Sequence, residues 1–242
     1  AFSVTFFLPF GFVNIITKAQ KAFEIKYSWK EFFIMANRIM LNQTSYHGAG
    51  AIEEIANEAK AHGFKKAFVC SDPDLVKFHV TSKVTDILEK NGLAYELYSD
   101  IKPNPTIENV QHGVQAFKNS GADYLIAIGG GSSMDCAKAV GARLARPHKS
   151  LSKMEGILKI WHRLPLLIAV PTTAGTGSET TLAAVITDAD THHKYAINDF
   201  NLIPDYAVLE PSVTYGLPPQ LTATTGMDAL THAIEGYITK GH

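Results

Sequence analysis

The sequence predicts an α/β fold in which helices cover both faces of a parallel sheet. Two patterns in the 242 residues carry this prediction. Short apolar runs without polar alternation, such as Tyr124–Ile128 and Leu166–Val170, are typical of strands that are buried on both faces. Between these runs lie longer stretches whose apolar residues recur at helical spacing. Because parallel neighbours need helical crossovers of this kind, the alternation indicates a parallel sheet.

The first elements are bounded by glycine and proline signals. A helix is predicted from Gly50 to Gly63, and the apolar run Ala67–Cys70 follows as a short buried strand. Pro73 suits the first position of a helix, so we predict one continuous helix over Asp74–Lys90. An Asn-Gly pair then ends this helix before the next strand.

The middle of the chain repeats the pattern. Strand Ala94–Tyr98 is followed by a proline-rich turn and by a helix that Thr106 can cap and that runs to Ser120. The strand Tyr124–Ile128 leads through glycines into a helix that ends near Arg146. These segments supply two further strand–helix units for a parallel sheet.

The chain divides into three segments. Residues 1–34 are rich in Phe and of uncertain origin, residues 35–217 form the α/β domain, and residues 218–242 begin an all-helical domain. Within the last segment, Leu221–Lys240 is predicted to be one helix. We expect this helical domain to be truncated, because the chain ends before the domain could complete a core.

The N-terminal segment holds eight of the thirteen phenylalanines. Pro9, Gly11 and Asn14 interrupt it, whereas a membrane span needs about 20 nearly uninterrupted apolar residues. No basic stretch precedes the apolar run, so a secretory signal also fits poorly. Three interpretations stay open: an element that covers a globular domain, sequence added upstream of a start at Met35, and, less favoured, a membrane anchor.

The charge balance and the cysteine count exclude several classes of function. With 22 basic and 23 acidic residues, the formal net charge is -1. The chain as a whole therefore has no electrostatic attraction for nucleic acid or for an anionic membrane. Its 2 cysteines cannot form a disulfide framework, so we expect a reducing, cytoplasmic location.

A glycine-rich turn is predicted between a buried strand and a helix. The sequence Gly129-Gly130-Gly131-Ser132 allows a phosphate to approach the backbone closely, and the following helix offers unpaired N–H groups at its N-terminus. The spacing is not that of the common dinucleotide fingerprint. The alternative is a glycine turn that only packing requires, and ligand binding is the favoured interpretation.

Two more strand ends carry polar groups suited to a nucleotide. Asp72 follows the strand Ala67–Cys70, where a carboxylate can accept hydrogen bonds from a ribose hydroxyl and repel a 2′-phosphate, although it can also simply cap a helix. The stretch 171–177 follows another strand and is dense in hydroxyl groups and glycines. Several such loops at the carboxyl edge of one parallel sheet predict a dinucleotide site.

The predicted C-terminal helix carries half of a possible metal site. Asp228 and His232 are four residues apart, so they lie on one helix face and can both reach one divalent cation. Such a pair is more often an interaction at a helix surface, and a tight site needs three or four ligands. His242 is the last residue and a weak candidate for a third ligand. His192 and His193 lie in a polar turn and are expected to be solvated.

Four ordered motifs resemble the iron-containing (group III) alcohol dehydrogenases, from about Met35 to the C-terminus. They are Lys102–Thr106, Gly129–Ser132 with Asp135 and Lys138, Pro171–Glu179, and Gly226–Tyr237. Residues 35–50 and 120–135 are most similar to the lactaldehyde reductase (propanediol oxidoreductase) branch, whereas residues 164–211 are more similar to other branches. The mixture leaves the substrate open, and it leaves a recombinant or fused chain as an alternative.

The resemblance implies an α/β domain that binds NAD, a helical metal-binding domain, and NAD(H)-dependent interconversion of a small alcohol and an aldehyde. By motif match, Asp72 would hold the adenosine ribose, Asn104 would lie beside the cofactor, and Lys194 would reach the ribose on the nicotinamide side. The pyrophosphate would be bound by Gly130, Gly131 and Ser132. The nucleotide would be lined by Thr172, Thr173 and Thr176.

The resemblance also implies a divalent metal, iron or zinc, with Asp228 and His232 as two of its four ligands. The other two would be histidines further along the helical domain. The implied reaction is metal-assisted hydride transfer, so no side chain of this chain is assigned as catalytic. We expect the truncated chain to be inactive by itself and the full-length enzyme to be a homodimer or a larger homo-oligomer.

Two alternatives remain. One is a nucleotide-binding fragment without catalysis. The other is a related protein of the dehydroquinate-synthase-like or glycerol-phosphate-dehydrogenase-like kind. The complete stretch Pro171–Glu179 argues against the second alternative.

Overall fold

The computed structural model describes residues 40–239, and the predictions for residues 1–34 and for His242 lie outside this range. In chain order, the strands are β1 (Thr44–His47), β2 (Lys66–Cys70), β3 (Ala94–Tyr98), β4 (Tyr124–Gly129), β5 (Gly156–Ile157), β6 (Leu167–Pro171), β7 (Ala183–Asp188), β8 (His193–Asn198) and β9 (Tyr206–Leu209). The α-helices are α1 (Glu54–Ala61), α2 (Pro73–Lys77), α3 (Ser82–Lys90), α4 (Ile107–Ser120), α5 (Gly131–Ala145) and α6 (Pro219–Ile238).

The main sheet has six strands in the order β1-β9-β6-β4-β2-β3, and every neighbouring pair is parallel. The predicted α/β class and parallel sheet are therefore confirmed. Since parallel strands end at the same edge of a sheet, the loops after β2, β4 and β6 meet there. This edge is called the carboxyl edge below.

Two apolar cores lie on opposite faces of this sheet. Successive residues of a strand point to opposite faces, so Phe68 belongs to the core under α4 and α5, whereas Val69 belongs to the core under α1 and α3. The central strands β4 and β6 are buried along their whole length, as the continuous apolar runs predict. Each fully buried large apolar side chain contributes about 2 kcal/mol to folding.

The helix predicted over Asp74–Lys90 is wrong, because α2 and α3 are separate helices. His79 adopts the left-handed conformation with φ of 58°. The N–H of Val80 donates to the carbonyl of Leu75, at 2.9 Å, which closes the end of α2. The turn brings Thr81 to the end of β2, where its hydroxyl pairs with that of Ser71 at 2.7 Å in a buried position. This contact is tertiary, so helical periodicity could not reveal it.

The strands β1, β5, β7, β8 and β9 were not predicted. β7 and β8 form an antiparallel hairpin, which with β5 makes a second sheet of three strands. Ala184, Ile186 and Ile197 of this hairpin pack in the same core as α5. The N–H of Thr187 donates to the carbonyl of Pro105 at 2.9 Å, which attaches the hairpin to the turn before α4.

The C-terminal helix α6 confirms the helix predicted over Leu221–Lys240, with slightly different ends. None of its residues is buried. Its exposed apolar side chains include Met227, Ile234 and Tyr237. The division into a domain over 35–217 and another over 218–242 stays a prediction. Within residues 40–239, no helix is both long and apolar enough to cross a membrane.

Candidate functional site

The glycine turn, residues 129–131, connects β4 to α5 at the centre of the carboxyl edge. Gly129 has φ of 153°, and a Cβ at this position would lie 2.4 Å from the hydroxyl oxygen of Ser133. Only glycine fits there, because any side chain would displace the first turn of α5. The carbonyl of Gly129 accepts a hydrogen bond from the N–H of Thr172 at 3.0 Å, which fixes the start of the neighbouring loop.

The N-terminus of α5 points its free N–H groups at this edge. The helix begins at Gly131, and Gly130 precedes it without any capping side chain. The first N–H groups of a helix have no partner within the helix, so they are available to an anion. A glycine backbone at this place lets the anion come close. The turn therefore has a backbone arrangement suited to an anion, and its binding of a phosphate group stays a prediction.

The second loop, residues 172–177, lies directly against the glycine turn and is called the hydroxyl loop. A Cβ at Gly131 would come within 3.0 Å of the Thr176 methyl carbon, and one at Gly130 within 3.5 Å of the Thr173 side chain. The structure thus brings together five of the predicted cofactor residues, and Thr172 lies buried at the base of the loop. Their roles toward a cofactor stay predictions. The five are Gly130, Gly131, Ser132, Thr173 and Thr176.

Asp72 lies at the end of β2, on the side of the glycine turn toward β3. One carboxylate oxygen accepts a hydrogen bond from the N–H of Leu75 at 2.9 Å and so caps α2. The other accepts one from the hydroxyl of Ser133 at 3.4 Å. The helix cap, which the sequence left as an alternative, is therefore present. The carboxylate is only partly buried, so it also remains open to a ribose hydroxyl.

Asn104 and Lys194 meet beside the first turn of α5. The Lys194 ammonium donates to the side-chain oxygen of Asn104 at 2.8 Å. The N–H of Asn104 donates to the hydroxyl of Ser132 at 3.3 Å, with Asn104 in the left-handed region at φ of 55°. Both side chains are exposed, so the structure places these two predicted residues at the rim of the same edge.

Asp135 and Lys138 of α5, whose roles the sequence did not reveal, form a polar cluster in the interior of the protein. The Lys138 side chain is fully buried, and its ammonium donates to Ser178 Oγ (3.2 Å), the carbonyl (2.8 Å) and hydroxyl (3.1 Å) of Thr181, and the carbonyl of Ala183 (2.9 Å). Asp135 accepts from the Ser178 hydroxyl at 2.8 Å and from the N–H of Val185 at 3.1 Å. The signal available in the sequence was a charged pair within the otherwise apolar and glycine-containing stretch 134–142.

Burial shifts the pKa of both charged groups in this cluster. It lowers the pKa of Lys138 to about 8, against the opposing attraction of Asp135 and Glu179. It raises the pKa of Asp135 above its ordinary value, although Lys138 and the two donors at Ser178 and Val185 act in the opposite direction. Because removing charges from water is costly, the hydrogen bonds must be well formed for the pair to persist.

The predicted metal pair lies on α6. His232 Nε2 and Asp228 Oδ1 are 3.6 Å apart, with 60% and 44% of the side chains exposed. One nitrogen and one oxygen donor suit iron or zinc, but two donors are half of a tight shell. Among residues 40–239, no group of three or more His, Cys, Asp or Glu residues could hold a metal ion. His192 and His193 are exposed, as expected.

Helix α6, which carries Asp228 and His232, lies in contact with the hydroxyl loop. A Cβ at Gly175 would stand 2.7 Å from the backbone carbonyl oxygen of Thr225, one turn before Asp228 in α6. The glycine therefore sets how closely α6 approaches the loop. This contact connects the helix that carries Asp228 and His232 to the carboxyl edge.

Comparisons with known proteins agree with this arrangement. The profile of the family described as "Iron-containing alcohol dehydrogenase" matches residues 42–211. Lactaldehyde reductase of Escherichia coli (strain K12) is 45% identical over 208 residues, which are 86% of this chain and 54% of that protein.

Solved structures of related oxidoreductases are also similar to this chain. The crystal structure of a 1,3-propanediol oxidoreductase has a TM-score of 0.81 and 34% identity, over 85% of this chain and 54% of that one. Sulfoacetaldehyde reductase from Bifidobacterium kashiwanohense, solved in complex with NAD+, has a TM-score of 0.76 and 31% identity, over 86% of this chain and 55% of that one.

The chain spans about half the length of the relatives it matches. Its six-stranded parallel sheet and the beginning of a helical segment correspond to the N-terminal half of these proteins. The family profile covers more than half of the chain, and it includes the glycine turn, the Asp135–Lys138 cluster and the hydroxyl loop. The chain belongs to the iron-containing alcohol dehydrogenase family.

Proposed function

We propose that this chain is the dinucleotide-binding half of an NAD(H)- and metal-dependent alcohol dehydrogenase or aldehyde reductase. One observation carries the proposal: the uncapped N-terminus of α5 opens into a glycine turn that Thr173 and Thr176 border. Helix N-termini of this kind bind phosphate groups through their free N–H groups and their positive dipole end. Family membership and the NAD+ complex of a structural neighbour support the proposal.

In this proposal the dinucleotide lies along the carboxyl edge. The N–H groups of Gly130, Gly131 and Ser132 bind its pyrophosphate, and the hydroxyl loop lines the nucleotide. Asp72, at the end of β2, accepts hydrogen bonds from the adenosine ribose. Lys194 and Asn104 reach the nicotinamide side from the opposite direction.

Asp228 and His232 contribute two ligands for iron or zinc. Bound there, the cation would supply Lewis-acid polarisation of the substrate oxygen, and the dinucleotide would supply or accept the hydride. The residues of this chain would orient the cofactor and position α6. The substrates we propose are small alcohols and aldehydes such as 1,2-propanediol and lactaldehyde, because a relative named lactaldehyde reductase shares 45% identity.

We also propose that the full-length enzyme is a homodimer or a larger homo-oligomer that binds neither nucleic acid nor membranes. A cytoplasmic location fits the two cysteines, Cys70 and Cys136, which are both free and buried.

A second candidate function is cofactor binding without turnover by these 242 residues. It is favoured by the two-donor metal pair on α6, since two donors secure neither affinity nor geometry. The dehydroquinate-synthase-like or glycerol-phosphate-dehydrogenase-like alternative is disfavoured by the complete stretch Pro171–Glu179.

Titration of the chain with NADH, followed by nicotinamide fluorescence, tests the proposal. We expect saturable binding, and we expect Gly131→Val to weaken it roughly tenfold or more because its side chain enters the phosphate cradle beside Thr176. Gly236→Val is the matched control, since a Cβ at Gly236 of α6 meets open space. Absence of NADH binding, or equal effects of the two variants, would refute the assignment of this edge.

Turnover is measured separately with 1,2-propanediol and NAD+, and with lactaldehyde and NADH, after addition of Fe²⁺ or Zn²⁺. Binding without turnover would identify the chain as the cofactor-binding part alone. Turnover would show that the described pair, with other groups of the chain, completes the metal shell.

A further inference from the structure

The hydroxyl loop is fixed to α5 at both of its ends. At its start, the N–H of Thr172 donates to the carbonyl of Gly129, immediately before α5. At its end, the hydroxyl of Ser178 donates to Asp135 and accepts from Lys138, both on α5. The loop between these points lies against the N-terminus of the same helix, with the Thr176 methyl carbon 3.0 Å from the place that a Cβ on Gly131 would occupy.

Lys138 makes most of the attachment at the far end. All four oxygen atoms that accept hydrogen bonds from it belong to residues 178–183, which lead from the hydroxyl loop into the first residue of β7. An ammonium has three N–H donors, so it can hold several oxygens of an irregular segment in one arrangement. The carbonyl of Thr181, which lies in neither a helix nor a strand, and that of Ala183, the first residue of β7, both accept hydrogen bonds from this ammonium.

A purely structural explanation accounts poorly for a lysine at this position. The surrounding side chains of α5, including Met134, Cys136 and Ala137, are apolar and buried. An apolar residue of similar length would fill the same volume without the cost of removing a charge from water. The lysine differs from such a residue in the hydrogen bonds that it donates to residues 178–183.

We propose that Lys138 is a positioning residue that holds the hydroxyl loop at the distance from the glycine turn that the dinucleotide requires. It does not contact the cofactor. It acts through Ser178 and Thr181, which determine where the Thr173 and Thr176 side chains stand relative to the N-terminus of α5. This inference rests on the proposed binding of NAD(H) at the carboxyl edge.

The test compares Lys138→Met with Lys149→Met in the 242-residue chain. Lys149 lies just beyond the other end of α5 and donates to the carbonyl of Lys159, so its substitution also removes a bond from a lysine to the backbone. Two quantities are measured: the dissociation constant of NADH by fluorescence, and hydrogen–deuterium exchange of peptides from residues 172–183. Exchange in β4 serves as the internal reference.

We expect Lys138→Met to weaken NADH binding roughly tenfold, as loss of charge-assisted hydrogen bonds would predict. We also expect faster exchange in residues 172–183 with unchanged exchange in β4, and neither effect in Lys149→Met. Exchange that rises equally in β4 would show a general structural role and overturn the inference. Unchanged exchange and unchanged NADH affinity would overturn it as well.

A milder pair of variants covers the case in which Lys138→Met does not fold. Ser178→Ala removes the hydroxyl that joins Lys138 to Asp135, whereas Ser178→Thr retains it. We expect Ser178→Ala to weaken NADH binding and Ser178→Thr to restore it, and equal affinities of the two would contradict the inference.

These measurements separate the two proposals. Wild-type chain that binds no NADH refutes the proposed function, and the exchange of residues 172–183 then decides by itself whether Lys138 holds the loop.

Discussion

Gly175 and Thr225 approach so closely that a Cβ on the glycine would stand 2.7 Å from the backbone carbonyl oxygen of the threonine. The first residue lies in the hydroxyl loop and the second lies in α6, one turn before Asp228. Backbone atoms cannot yield as a flexible side chain can, so this contact limits how near α6 lies to the carboxyl edge.

Gly175→Ala is therefore expected to displace α6 from the hydroxyl loop. Overpacking of this kind costs about 1–3 kcal/mol. We expect faster proteolytic cleavage within residues 219–238, measured by limited proteolysis and mass spectrometry. Gly236→Ala is the control, because it adds a Cβ to α6 itself at a position that faces open space. Equal cleavage of the two variants would show that the contact does not hold α6.

Asp72→Gly is expected to change the choice of cofactor. In the proposed binding mode the carboxylate would face the extra phosphate of NADP(H), and juxtaposed like charges cost several kcal/mol, roughly enough to dominate selectivity. NADPH affinity should rise relative to NADH, while replacement of the α2 cap by glycine lowers stability by only about a few tenths of a kcal/mol. Fluorescence titration with both cofactors measures the ratio. Asp74→Gly, two residues further along α2, controls for the helix effect.

A wild-type chain that binds NADPH as tightly as NADH would contradict this assignment of Asp72. So would an unchanged ratio in the Asp72→Gly variant, since the carboxylate would then lie away from the phosphate.

The metal pair is expected to bind divalent cations weakly in these 242 residues. Asp228 and His232 supply two contacts, and water must fill the other positions. Titration with Zn²⁺ or Fe²⁺ should show no tight stoichiometric binding, and His232→Ala should leave NADH affinity nearly unchanged. His193→Ala, which removes an exposed histidine paired with Glu155, is the control. Tight stoichiometric binding would mean that other groups of the chain complete the shell.

Lys138 is expected to make stability depend on alkaline pH. Burial lowers its pKa from the ordinary 10.5 to about 8, while Asp135 on its own helix and Glu179 after the hydroxyl loop favour the charged form. Between about pH 8 and pH 10.5, Lys138 is largely deprotonated in the folded chain but still protonated in the unfolded chain, so the unfolded chain binds more protons. The free energy of unfolding therefore rises as the pH increases from about 8 toward 10.5.

Urea unfolding of the wild type and of Lys138→Met is measured at several pH values. The difference between their free energies of unfolding gives the contribution of Lys138 at each pH. Wild type should gain stability relative to the variant across that interval. A difference that stays constant or falls with pH would show that the lysine titrates near its ordinary value.

Much of the fold could be predicted, because apolar runs and capping residues within short segments of the sequence specify its elements. The continuous apolar run Tyr124–Ile128 identified a strand buried on both faces, and Thr106 identified the start of α4, which it caps through the N–H of Asn109 at 3.2 Å. The edge strand β1 and the hairpin β7–β8 were missed. None of the β1 residues is buried, and only alternate residues of the hairpin are, so these strands lack a continuous apolar run and their pairing depends on distant partners.

The candidate site divides in the same way. The sequence by itself determined the glycine turn, the hydroxyl loop and the spacing of Asp228 and His232, because backbone freedom and helical periodicity act over a few residues. The tertiary structure decided that Thr81 pairs with Ser71 where a helix was predicted, that Asp72 accepts from Ser133, and that Lys138 holds residues 178–183. Each of these depends on burial or on hydrogen bonds between groups that only the folded sheet brings together, so no local pattern could specify them.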